Sequence, residues 1–132
     1  MEVGIGHHGE PGSRVDALRP AAEMARSMLD VVLPDLPFGK GDEVVALVSG
    51  LGATPVMELY ILYRTVAELL GQAGLSVYRS YVGNYFTSLE MMGVTLTLLK
   101  VDAELKELVD LEADSVGLTQ LPPSAGRQGA RG

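Results

Sequence analysis

The sequence predicts a two-layer α/β fold, in which helices pack on a mixed, mainly parallel sheet. Apolar segments of strand length alternate with longer segments of helical period, in the order βαβαβ(α)βα. The segment 44–49 (VVALVS) is apolar on both faces, which is typical of an interior strand of a parallel sheet. A short connection before the last strand permits an antiparallel pair. The 132 residues, of which 47% are hydrophobic, suffice for one domain with a modest core.

The first half of the chain predicts two strands with a helix between them. Residues 2–6 (EVGIG) form a short candidate strand that runs into a glycine-rich segment. In the helix that follows, Pro20 suits the first turn, and Pro34 with Pro37 ends the element. Its apolar side chains recur every three or four residues, at Leu18, Ala22, Ala25, Leu29 and Val32. The strand 44–49 comes next.

The second half begins with a helix predicted over residues 55–70. Thr54 is a favourable N-cap, and Pro55 suits the first helical position. The helix is apolar nearly all round, which is typical of a helix buried on more than one side. The turn before it, Gly50-Leu51-Gly52-Ala53-Thr54, lacks the Gly-Lys-Ser/Thr of a phosphate loop and favours a tight strand-to-helix turn. Strands over 75–82 and 94–100 follow.

The remaining predictions concern the short elements and the C-terminus. Thr87-Ser88-Leu89-Glu90 matches a capping box that would open a helical turn, and Asp102 would cap a final helix near 103–111. Met91, Met92 and the Tyr60/Tyr63 pair favour core or dimer packing over a ligand site. Residues 1–118 are predicted to form one subdomain. Residues 119–132 are rich in Pro, Gly and Ala and predict a disordered tail.

Composition excludes several classes of function. The net charge of −7, with scattered basic residues, argues against a nucleic-acid partner. No apolar run approaches the length of about 18 residues that suggests a membrane span, so no membrane partner is expected. Without cysteine there are neither disulfides nor thiolate metal sites, which fits a cytoplasmic location.

The segment 4–12, Gly-Ile-Gly-His-His-Gly-Glu-Pro-Gly, carries the strongest motif. Its glycines match the dinucleotide fingerprint G-x-G-x-x-G, but the Glu-Pro-Gly that follows prevents the helix which that motif requires. A metal site would use His7, His8 and Glu10. Adjacent histidines seldom face one ion, and the spacing of zinc hydrolases is absent. We therefore expect no metal.

Two further interpretations of this segment stay open on composition alone. It is either a Gly/Pro turn with two exposed histidines, or a site at which one histidine acts as nucleophile or base. Imidazole titrates near pH ~6.5, so neutral ring nitrogen is available at physiological pH. Glycines on either side would let a small ligand approach the backbone closely.

Four ordered motifs resemble the K subunit family of dihydroxyacetone (glycerone) kinase. The resemblance extends from residue 2 to about residue 118, which implies the second, C-terminal subdomain of the K fold. The motifs are Gly4–Gly12, Gly50–Ile61 (GLGATPVMELYI), Val82–Met91 (VGNYFTSLEM) and Thr97–Lys100 (TLLK). This chain departs from the family pattern at His7, where an aliphatic residue is expected, at Ser49 in place of Asn, and at Ala53 in place of Gly.

The resemblance implies a role for His8. In the family, the histidine just before Gly-Glu-Pro-Gly adds to the ketone of dihydroxyacetone and gives a covalent hemiaminal. His8 occupies that position, with Gly6 and Gly9 beside the substrate. The chain itself would bind no cofactor. The phosphoryl donor, either ATP with Mg or an ADP rephosphorylated by a phosphotransferase-system protein, would sit on a helical L subunit or domain.

The resemblance also implies further partners. They are the N-terminal half of the K subunit, which supplies the other substrate contacts, and a second copy in a homodimer. We expect little activity from the chain alone, because a bound ketose without its positioning groups gains little from proximity. The alternative is a stand-alone or remnant subdomain that folds and dimerises through helix 55–70 without kinase activity.

Overall fold

The computed structural model describes residues 1–6 and 10–122 of the chain. Within them, a three-stranded sheet carries the two long helices on one face. A two-stranded ribbon precedes this unit, and a second ribbon follows it. The elements are β1 (Glu2–Val3), β2 (Arg14–Val15), α1 (Ala21–Asp35), β3 (Glu43–Gly50), α2 (Val56–Gln72), β4 (Ser76–Gly83), β5 (Val94–Val101), α3 (Ala103–Val109), β6 (Ala113–Asp114) and β7 (Thr119–Gln120).

The sheet is mixed, as predicted, but it is not mainly parallel. β3 lies in the middle, parallel to β4 and antiparallel to β5, so the two directions are equally represented. The parallel pair is joined through α2, as a crossover requires. Residues 84–93 then carry the chain from β4 over the carboxyl end of β3 to β5. This connection is too short for a second helical crossover, and β5 consequently runs the other way.

The hydrophobic core lies between the sheet and the two long helices. Alternate residues of β3 point into it, together with Ala25 and Leu29 of α1. α2 contributes a single buried face, with Leu59, Leu62, Val66 and Leu70. The prediction that α2 is buried on more than one side is therefore wrong for the residues that the structure describes. Its opposite face exposes the apolar side chains Val56, Met57, Tyr60 and Ile61.

Helix ends agree with the sequence in two places and differ in two. α1 ends one residue after Pro34, and the Asp102 carboxylate caps α3 by accepting a 2.9 Å bond from the Leu105 amide. Thr54 does not cap α2, because its hydroxyl forms hydrogen bonds with the backbone carbonyl and amide of Gly93 instead. The predicted helical turn over 87–90 is absent, and Glu90, with a φ of 47°, lies outside the right-handed helical region.

The two ends of the chain form ribbons outside the main sheet. Of the predicted strand 2–6, only Glu2–Val3 is extended, and it pairs antiparallel with β2 rather than with the sheet. Near the C-terminus β6 pairs with β7, so Thr119 and Gln120 belong to a strand pair. The boundary at residue 118 stays a prediction, and residues 123–132 lie outside the described part. No helix within 1–6 or 10–122 is long and apolar enough to cross a membrane.

Candidate functional site

The β1–β2 ribbon brackets the glycine-rich segment. The Gly6 amide donates to the Glu10 carbonyl (3.1 Å), which joins the residues on either side of 7–9. A Cβ atom at Gly6 would lie 2.6 Å from the Glu10 Cβ, so this approach requires glycine. His7, His8 and Gly9 lie outside the described residues. The roles of His8, Gly6 and Gly9 in binding substrate therefore stay predictions.

Contacts along the ribbon connect it to α1. The Asp16 amide donates to the Met1 carbonyl (2.8 Å), and the Ser13 amide donates to the Val3 carbonyl (2.8 Å). The Arg14 guanidinium donates to Ser27 of α1 (2.6 Å) and to the Asp16 carboxylate (2.8 Å). This last hydrogen bond lowers the pKa of Asp16 below its ordinary value. Both flanks of the His8 segment are thus tied to the folded unit.

Ser49 lies at the carboxyl end of β3 and is fully buried. Its hydroxyl oxygen accepts hydrogen bonds from the Tyr85 and Phe86 amides, both at 3.0 Å, and donates to the Gly50 carbonyl at 3.1 Å. One buried hydroxyl thereby fixes the start of the connection 84–93 to the central strand. This is a positioning function that the sequence did not reveal.

The end of the connection is fixed by Thr54. Its hydroxyl donates to the Gly93 carbonyl (2.8 Å) and accepts from the Gly93 amide (2.9 Å). Gly52 has a φ of 117°, and a Cβ atom there would lie 2.7 Å from the Ser88 carbonyl oxygen. The amides of Leu51 and Ala53 donate to carbonyls of this connection. The turn 50–54 therefore uses its amides within the protein, as expected of a structural turn.

An apolar surface lies next to these contacts. We define the α2 surface as the outward side chains of the first turns of α2 and of the connection after β4. Burial raises the pKa of Tyr85 above its ordinary value, and the nearby Tyr60 and Tyr81 raise it further. Of the four residues expected in core or dimer packing, Tyr63 packs against the core, whereas Tyr60, Met91 and Met92 are exposed. The surface comprises Val56, Met57, Tyr60, Ile61, Tyr85, Phe86, Leu89, Met91 and Met92.

A groove of about 650 Å³ occupies the face of the sheet that α1 and α2 leave uncovered. Its floor includes Leu47, Thr97 and Leu99, and one wall is the stretch 111–120 that contains β6 and β7. Tyr81 contacts Tyr85 edge to face, with ring centroids 6.1 Å apart. The sequence pattern did not predict this groove, and its one signal is Arg79, the single charged residue of β4.

The Dak1 domain model matches residues 1–117, which is most of the chain. The chain belongs to the Dak1 family. This match includes the His8 segment and every element from β1 to β6. Among curated relatives, the chain is 41% identical over 115 residues to the dihydroxyacetone-binding subunit DhaK of a PTS-dependent dihydroxyacetone kinase 2 from Listeria innocua.

The chain spans about a third of the length of this relative. The similarity covers 87% of this chain and 35% of the Listeria subunit. Two solved structures show the same relation. The dihydroxyacetone kinase operon co-activator Dha-DhaQ superposes with a TM-score of 0.76 at 35% identity, covering 83% of this chain and 34% of its own. The C. freundii dihydroxyacetone kinase, solved with AMP-PNP and Mg²⁺, gives 0.68 at 29% identity, covering 91% and 22%.

Proposed function

We propose that this chain is the substrate-anchoring part of a dihydroxyacetone kinase, with His8 as the residue that bonds the ketose. The observation that carries the proposal is the Dak1 match over residues 1–117, which includes the His8-Gly9-Glu10-Pro11-Gly12 motif. The joined flanks at Gly6 and Glu10 support it, because a nucleophile on a segment with fixed ends loses less entropy when it engages substrate.

The proposed step is the addition of an imidazole to a ketone. A neutral ring nitrogen of His8 attacks the carbonyl carbon of dihydroxyacetone and forms a C–N bond. The carbonyl π electrons move to the oxygen, which takes a proton, while the other ring nitrogen releases its proton. The product is a hemiaminal that contains the whole ketose. Glycerol has no carbonyl and cannot form it, so the step selects ketoses over polyols of similar size.

Other parts of the enzyme complete the reaction. The N-terminal half of a K subunit would bind and activate the substrate hydroxyls. An L subunit or domain would deliver phosphate, from ATP with Mg or from an ADP that a phosphotransferase-system protein rephosphorylates. Phosphoryl transfer depends mainly on positioning and electrostatics, which the anchored ketose favours. We place this assembly in the cytoplasm.

A chimera tests the function. This chain would replace the matched segment of the Listeria innocua subunit, which restores a complete K subunit around His8. With the Listeria phosphoryl-donor proteins, we expect formation of dihydroxyacetone phosphate. The isolated chain should form little, because it lacks the groups that position the hydroxyls.

The neighbouring histidines provide a matched control. His8→Ala should remove the activity of the chimera, whereas His7→Ala should retain most of it. A chimera that folds and remains active with His8→Ala would contradict the assignment of His8. An equal loss of activity in His8→Ala and His7→Ala would also contradict the assignment of His8, because the two histidines could not then be given separate roles.

We further propose that two copies associate through the α2 surface. Its exposed side chains on α2 are Val56, Met57, Tyr60 and Ile61, and apolar patches of this kind mark contact sites. Sedimentation equilibrium of the chimera should give a dimer, and Met57→Glu should shift it to a monomer. An unchanged dimer with Met57→Glu would refute this choice of surface.

A non-catalytic role is the alternative, and one observation favours it. The chain superposes with a TM-score of 0.76 on Dha-DhaQ, a protein named as an operon co-activator. In that case the chain would contribute to a regulatory complex and not to phosphoryl transfer. A chimera that forms the His8 adduct but yields no dihydroxyacetone phosphate with active donor proteins would favour the co-activator role.

A further inference from the structure

The central strand has an apolar side that the helices do not cover. Alternate residues Val44, Ala46 and Val48 face α1 and α2 in the core. Val45 and Leu47 point to the other face, where they line the groove. Strands that are apolar on both faces normally lie between two covering layers. Among residues 1–6 and 10–122 the second layer is present only in part, as α3 and the stretch 111–120.

Most of the residues that line the groove are apolar, although Thr97, Glu112, Ser115 and Gln120 also line it. Leu99 of β5 is 43% exposed, Leu108 of α3 is 55% exposed, and Leu111 is 60% exposed. All three line the groove together with Leu47 from the middle of β3. Contiguous exposed apolar side chains of this kind mark interaction sites in soluble proteins. These side chains lie over the central strand, on the face of the sheet opposite α1 and α2, so that this face is only partly covered in the folded unit.

Polar contacts hold one wall of the groove in place. Arg79 pairs with Asp110 (2.6 Å) and donates to the Gln120 side chain (3.0 Å). Tyr81 donates to the same Gln120 oxygen (2.7 Å), and Tyr78 donates to Asp110 (2.6 Å). The Gln120 amide also reaches the Val109 and Leu111 carbonyls. Strand β4 is thereby tied to the stretch 111–120, so the groove is formed before any partner binds.

We propose that the groove seats an apolar surface of the remaining part of the K subunit. This inference rests on the proposed function, because it assumes that the chain works with the portion of the Dak1 protein that it lacks. The chain spans 35% of the Listeria subunit, so a larger part is available to cover the groove. A second copy is a poorer occupant, since the proposed contact between copies uses the α2 surface, whose helical part lies on the other side of the sheet from the groove.

Single cysteines in this cysteine-free chain provide the test. Leu99→Cys reports on the groove, and Val31→Cys on the exposed side of α1 serves as the matched control. Each variant is treated with a maleimide as the isolated chain and within the Listeria chimera, and peptide mass spectrometry reads the modified position. We expect the ratio of the Leu99→Cys rate to the Val31→Cys rate to fall at least about tenfold in the chimera, because thiol labelling follows exposure.

The outcomes separate this inference from the proposed function. An unchanged rate ratio in an active chimera overturns the groove assignment while the kinase role stands. A lowered ratio in a chimera that folds but has no activity supports the groove assignment although the catalytic proposal fails. Protection of Leu99→Cys in the isolated chain that grows with concentration identifies a second copy as the occupant and overturns the inference. If Leu99→Cys does not fold, Leu108→Cys reports on the same groove.

Discussion

Replacing Ser49 with alanine tests whether one buried hydroxyl fixes the connection over the sheet. Ser49→Ala removes the acceptor of the Tyr85 and Phe86 amides, each at 3.0 Å. A neutral hydrogen bond contributes about 0.5–1.5 kcal/mol, so the loss of two predicts a decrease of about 1–3 kcal/mol in the free energy of unfolding. The lower end applies if water reaches the Phe86 amide, since that residue is exposed.

Urea unfolding followed by circular dichroism measures this change, with the slope m required to stay constant. Ser80→Ala in the adjacent strand β4 is the control, because Ser80 is exposed and its loss should change stability by less than about 0.5 kcal/mol. Amide hydrogen exchange should accelerate at Tyr85 and Phe86 in Ser49→Ala. A Ser49→Ala protein within about 0.5 kcal/mol of wild type, with unchanged exchange at both amides, would refute the reasoning.

Three further predictions concern stability. Gly52→Ala should lower the free energy of unfolding by about 1–3 kcal/mol, because Gly52 has a φ of 117° and faces the Ser88 carbonyl. Gly71→Ala within α2 should raise it by about 0.5–1 kcal/mol. Equal effects of the two substitutions in urea unfolding would refute both predictions. Asp102→Ala should cost about 1 kcal/mol through loss of the α3 N-cap, and an unchanged midpoint would contradict it. The hydrogen bond from Lys100, followed by that from the Gly39 amide, lowers the pKa of Asp42 below its ordinary 3.8. The charged form thus stabilises the fold above pH 3.8, and the advantage in melting temperature over Asp42→Asn should be lost as pH falls below 3.8; an advantage independent of pH would contradict this.

The regular elements were predictable because their signals are local. The strand 44–49 and the final helix cap at Asp102 follow from side-chain pattern and from one residue's capping chemistry. Pro34 and Pro37 bounded α1 for the same reason. The Dak1 family was likewise predictable, since its motifs are contiguous in the sequence.

The errors arose where distant residues compete for a local group. Residues 87–90 have the sequence of a capping box, yet the Ser88 amide donates to the distant Leu51 carbonyl, Glu90 has a φ of 47°, and no helix forms. Thr54 has the sequence of an N-cap, yet its hydroxyl bonds Gly93. The outer face of α2 was expected to be buried because apolar residues surround the helix. Apolar residues around a helix look the same in the sequence whether they are buried within the chain or form an exposed apolar surface.

The most direct test of the central claim is the mass of the ketose adduct on the chimera. After incubation with dihydroxyacetone and without borohydride, native mass spectrometry should show a gain of one whole dihydroxyacetone, as a hemiaminal requires. Peptide mapping with ¹³C-labelled ketose should place the label at His8, and His8→Ala should abolish the gain while His7→Ala keeps it. A gain reduced by one water would indicate a lysine imine. That result, or an adduct that survives His8→Ala, would contradict the account.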